Sequence, residues 1–105
     1  MSPRAIAAEK SVNGYKKGTI VLVDVAIANI DSHKPTTIVI PTALDVRKSA
    51  KYVVNGQHVA IPSSSRHYPH LNAFCELPAG TDRLKVELVG KPGTILSIRN
   101  IQVYQ

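Results

Sequence analysis

The chain has 105 residues, 44% of them apolar and 19% charged, which is room for one hydrophobic core and too apolar for a disordered chain. No apolar run nears the ~20 residues of a membrane-spanning helix, and a single cysteine, Cys75, excludes an intrachain disulfide framework. Thirteen lysines and arginines against seven acids give a net charge of +6, which favours acidic partners.

In chain order, residues 1–17 read as an N-terminal arm or edge strand, and 18–105 as one β-domain. Ser2-Pro3 and Asn13-Gly14 are also compatible with a short helix between them. Gly18 to Ile30 is dense in β-branched residues and predicts a long strand. Strict alternation gives it one face of Val21, Val23, Val25 and Ile27, and another of Ile20, Leu22, Asp24, Ala26 and Ala28. Both faces are apolar, so the second is expected to meet either a covering element or another subunit. Asp31 to Pro35 is a turn, and Thr36 to Ala43 a strand in which Pro41 marks an edge, a bulge or an end.

Asn55-Gly56 stands between two apolar runs and predicts a tight hairpin, because both residues accept positive φ. Pro62 to Arg66 is a loop. His67 to Leu77 is a strand with Leu71, Ala73, Cys75 and Leu77 inward. Arg83 to Leu88 alternates strictly, with Leu84, Val86 and Leu88 inward. The last strand, Thr94 to Tyr104, changes phase: Leu96 and Ile98 are even-numbered, Ile101 and Val103 odd. A period of two cannot do this without an inserted residue, so a bulge near Arg99-Asn100, or a corner between sheets, is expected. Seven or eight strands with short turns make an all-β antiparallel sandwich or barrel.

The segments Leu77-Pro-Ala-Gly-Thr-Asp-Arg-Leu-Lys-Val-Glu-Leu88 and Gly93-Thr-Ile-Leu-Ser-Ile-Arg-Asn-Ile-Gln-Val-Tyr104 lie in the C-terminal third. They resemble jelly-roll domains of the carbohydrate-binding-module type. Compact versions of that fold also resemble bacteriophage capsid decoration proteins, the cement or staple subunits. The resemblance implies an antiparallel jelly-roll-like β-sandwich, and either a glycan or a shell protein as partner. Sugar binders of this kind present aromatic platforms. The chain has no tryptophan, which leaves Tyr52, Tyr68 and Tyr104 as platform candidates.

No other motif names a chemistry. His67, His70 and Cys75 fall short of the four preset donors a zinc site uses, and on one strand His67 and His70 face opposite ways. Ser63-Ser-Ser ahead of His67 lacks the nucleophile turn and oriented base of a triad. The acids are spread along the chain without the clustering calcium needs. The densest cations, Lys16-Lys17 and Arg47-Lys48, form no long run and are not interleaved with aromatics, which speaks against nucleic acid.

The expectation is therefore a non-enzymatic structural protein without metal or cofactor, a decoration or cement subunit of a virion. Ile20, Leu22 and Asp24 would dock on neighbouring shell subunits or on further copies of the chain. Lys16, Lys17, Arg47 and Lys48 would meet acidic surface. The start, Met1 to Glu9, lacks the apolar core of a secretion signal, so synthesis in a reducing cytoplasm and release inside a particle are expected. The alternative is a carbohydrate-binding or receptor-binding module.

Overall fold

A strand that shares one core with another sheet must turn the same side inward along its whole length, and the pairing shows how this chain manages it. In the computed structural model, residues 4–6, 10–13, 18–44, 50–61, 70–90, 95–98 and 101–105 are described. They form β1 (Arg4–Ile6), β2 (Lys10–Asn13), β3 (Gly18–Ala26), β4 (Thr36–Leu44), β5 (Ala50–Val54), β6 (Gln57–Ala60), β7 (His70–Leu77), β8 (Arg83–Gly90), β9 (Ile95–Ile98) and β10 (Ile101–Tyr104). All described pairings are antiparallel. The result is an all-β fold of two antiparallel sheets in a sandwich-like arrangement.

One sheet runs β3-β8-β5-β6. In the other, β7 lines one side of β4 from Thr36 to Ala43, so β9 and β10 lie end to end along the opposite side. Beyond them, β2 pairs β9 and β1 pairs β10, so residues 4–6 and 10–13 are strand. The pairs nest. The β5–β6 hairpin is innermost in sequence, then β4 with β7, then β3 with β8, then the first strands with the last.

The core lies between the sheets. Leu22, Val23 and Ile27 of the β3 segment, Leu84, Val86 and Leu88 of β8, and Tyr52, Val54 and Val59 of the hairpin face Ile38, Ile40, Ala73, Cys75, Leu77, Ile101 and Val103. Tyr52 is fully buried and spans the sandwich. Its hydroxyl meets Thr42 Oγ1 across the two sheets at 2.7 Å. Thr42 in turn donates to the Ile40 carbonyl at 2.9 Å, so the tyrosine is the donor to the threonine. A polar group at the centre of an apolar core is thus satisfied from both ends.

The reading of β3 as a strand with two apolar faces is corrected here. Val21 stands opposite Glu87 and Val23 opposite Val86, so two steps along β3 answer to one along β8. Leu22 is the inserted residue. Ile20 before the insertion, and Val23 and Val25 after it, pair with the buried Leu88, Val86 and Leu84. Leu22 itself is 4% exposed. The even residues are inward before the bulge and the odd ones after it, although Val25 is still 37% exposed, and the outward set is Val21, Asp24 and Ala26, all exposed.

The last strand carries the inserted residue its phase change requires. Thr42 is opposite Ile98 and Val39 opposite Gln102, so three steps along β4 answer to four. Arg99 and Asn100 themselves lie outside the described residues. Pro41, which has no N–H to donate, sits in β4 between these two stretches of pairing.

The turns follow their residues. Asn55 and Gly56 have φ of 49° and 81°, both positive as a type I′ hairpin requires. Gly80 has φ of 89°, and Thr81 N–H returns to the Pro78 carbonyl at 3.2 Å, which suits a type II turn with glycine third.

Three substitutions test this arrangement by urea unfolding. Leu22→Ala should cost about 2–5 kcal/mol, as for a buried leucine, whereas Val21→Ala should stay within about 0.5 kcal/mol. Equal small losses at the two positions would contradict the bulge. Tyr52→Phe removes the inter-sheet hydrogen bond alone and should cost about 1 kcal/mol.

Candidate functional site

The same alternation that turns Ala73, Cys75 and Leu77 inward turns Asn72, Phe74 and Glu76 out. Phe74 is 61% exposed, the most exposed large apolar side chain among the described residues. Across the sheet its partner is Val39, whose own partner on β10 is Gln102. Val39 also points away from the core, yet it is only 7% exposed.

The neighbouring rank across the three strands is Glu76, Thr37 and Tyr104. Tyr104 is half-buried, and its hydroxyl donates to Gln102 Oε1 at 2.7 Å. The bond joins two residues on one side of β10. A patch results: an exposed phenyl ring on β7, a valine floor on β4, and a tied tyrosine–glutamine pair on β10. The strands are ~5 Å apart, so the phenyl ring and the glutamine stand roughly 10 Å from one another at their backbones.

The outer face of the other sheet is charged and internally paired. Arg83 Nε and Nη2 both reach Asp24 Oδ1, at 2.9 and 2.8 Å, and Lys85 lies 3.9 Å from Glu87. Asp24 is therefore an exposed, paired residue of an outer face. The pair is largely solvated, so it adds little stability.

The candidates singled out from sequence separate as follows. Leu22 is in the core and offers no surface in the single chain, and Ile20 is partly buried against that core. Tyr52 is not a platform: it is fully enclosed and its hydroxyl is engaged. Tyr104 is half-exposed on the patch just described. Lys16, Lys17, Arg47, Lys48, Tyr68 and His67 lie outside the described residues, as does the side chain of His70. Phe74 was not singled out, although placing Leu71, Ala73, Cys75 and Leu77 inward had already forced it outward.

Cys75 is 5% exposed, with its Sγ 3.5 Å from Gln57 Oε1 and 3.8 Å from the Glu76 carbonyl. Burial pushes its thiol up from the ordinary value. Among the described residues, no three His, Cys, Asp or Glu side chains gather as a metal site would need. No described helix is long and apolar enough to cross a membrane.

Compared with family models, with curated proteins and with solved structures, the chain matches none.

The two raised groups give a pH dependence of definite sign. Burial holds Tyr52 protonated well above its ordinary value, and Cys75 likewise. In each case the unfolded chain loses its proton first, so stability is level below the unfolded values and falls as pH rises past them. The melting temperature should decline from about pH 8.5 and more steeply beyond about pH 10. Tyr52→Phe should flatten the upper limb and Cys75→Ala the lower, and a wild-type curve flat to pH 11 would refute the assignment.

Proposed function

We propose that this chain is a jelly-roll β-sandwich serving as a non-enzymatic structural protein of a virion: a decoration or cement subunit that docks on neighbouring capsid subunits. The jelly-roll reading is supported by the nesting of the pairs. With β1–β2 and β9–β10 each counted as one track, first pairs with last, second with seventh, third with sixth and fourth with fifth. That is the order of one long antiparallel ribbon rolled upon itself.

The observation that carries the docking reading is Phe74. It lies outward on a sheet whose inner side packs the core, and its ring is not part of that core. An exposed aromatic over an apolar floor has the chemistry of an interface anchor. The partner this surface fits is a shell protein with an apolar socket. A net charge of +6 adds a preference for acidic surface around that socket and faster encounter at low salt. Docking thus moves from β3, whose Leu22 is internal, to the β7-β4-β10 face. The virion as the assembly rests on the resemblance carried by Leu77–Leu88 and Gly93–Tyr104.

The second reading, glycan binding, is favoured by one feature. Tyr104 and Gln102 stand beside an exposed phenyl ring on the same face, an apolar plate with an amide at its rim.

Co-sedimentation with shells from the source, set beside a glycan array, decides between the readings. Wild type should pellet with shells. Phe74→Ser should lose about tenfold or more in affinity, as for an anchor residue, while its melting temperature changes little. No binding to any shell, together with array hits abolished by Tyr104→Ala, would replace the first reading with the second.

A further inference from the structure

The turn residue Asn55 is exposed, yet its side chain is engaged at both ends. Nδ2 donates to the Arg83 carbonyl at 2.8 Å, and Oδ1 accepts from Lys85 N–H at 2.8 Å. Its own N–H donates to the Lys85 carbonyl at 2.9 Å. All three bonds go to the backbone of β8, so the asparagine extends the β5–β8 ladder past Val54, the last residue of β5 in register with β8. The residue that follows is Gly56, whose peptide nitrogen has no side chain beside it.

An asparagine followed by glycine carries an intrinsic reaction. The Gly56 nitrogen attacks Asn55 Cγ, the C–N bond to the side-chain nitrogen breaks, and ammonia leaves with the proton from the Gly56 peptide. A five-membered imide remains. Water then opens it at one carbonyl or the other, giving aspartate or isoaspartate. No oxidant or reductant is involved.

The fold opposes this reaction at two points. Positive φ at both residues holds the hairpin in the type I′ form, and two hydrogen bonds to the β8 backbone tether the side-chain amide. Ring closure needs Cγ free to swing toward the Gly56 nitrogen, and therefore needs both side-chain hydrogen bonds broken.

We propose that Asn55 is a covalent modification site gated by the parting of the β5–β6 hairpin from β8. Deamidation there converts a transient opening into a permanent one. Aspartate keeps the acceptor for Lys85 N–H but turns a second oxygen, in place of a donor, toward the Arg83 carbonyl. Isoaspartate adds a methylene to the backbone and puts the turn out of register. Either product weakens the redocking that protected the asparagine. This rests on the hairpin alone and is independent of the docking reading.

The test is time-resolved peptide mapping of the whole protein at mildly alkaline pH, native and in urea, with hydrogen exchange at Lys85 N–H. Native protein should deamidate at Asn55 at least about tenfold more slowly than unfolded protein, because only the open fraction reacts. The rate should rise in step with exchange at Lys85 N–H when the β5–β8 contact is weakened by Val54→Ala. Asn55→Asp should exchange faster at Lys85 N–H than wild type. Equal deamidation rates in native and unfolded protein would overturn the gating. Unchanged exchange in Asn55→Asp would overturn the claim that the product loosens the hairpin.

Discussion

Side chains on a β-strand alternate between faces, so two sheets can share a core only while each strand keeps its register. One extra residue reverses every side chain beyond it. In this protein the sequence reverses phase and the backbone reverses with it. In β3 the insertion is Leu22, which lets Ile20, Leu22, Val23 and Ile27 all reach the interior. In the last strand it falls between Ile98 and Gln102, where β4 offers Pro41 and so no ladder hydrogen bond from that residue. The first offset fixes which residues of β3 face in, and the second turns Ile101 and Val103 inward and Gln102 and Tyr104 out.

The two insertions differ in how far the sequence discloses them. In the last strand, Ser97 and Gln102 are polar residues that must lie outward, so the shift from Ile98 to Ile101 is visible as a broken alternation. In β3 nearly every residue is apolar, and an even phase and an odd phase look equally good. Only the paired strand settles the matter: Leu84, Val86 and Leu88 alternate strictly and β3 must match them. The expectation that Leu22 meets either a covering element or another subunit resolves to burial within the chain, through a bulge that the strand by itself does not disclose. The strands at 36–44, 83–90 and around Asn55-Gly56 were legible because their turn residues and their polar spacing agree.

Tyr52 and Phe74 exchange the roles that residue type alone suggests. Tyrosine passes for a surface platform and phenylalanine for core. Position reverses this, because Lys51 on the outer side forces Tyr52 in, while Cys75 on the inner side forces Phe74 out. The buried hydroxyl is tolerable only because Thr42 stands opposite it on the other sheet, a coincidence of two strands that no local pattern records. The clamp of Asn55 on β8 is hidden for the same reason. The Asn-Gly pair announces the turn, but its side-chain partners come from a strand some thirty residues along.

What remains outside after the core is filled is what bears on function. The outer face of the β3-β8 sheet pairs Arg83 with Asp24 and Lys85 with Glu87, and it leaves Val21 47% exposed. The face formed by β7, β4 and β10 is different. Val39 is screened from solvent without belonging to the core, and the ring across from it is left wet. Under the proposed docking reading, the exposed ring is the part a partner would cover. The C-terminal end of β10 is well anchored for such contact: Gln105 exchanges hydrogen bonds with the N–H and carbonyl of Asp31 and reaches Lys34 and Thr36. That clasp ties the end of the strand bearing Gln102 and Tyr104 to the turn before β4 and to Thr36, its first residue.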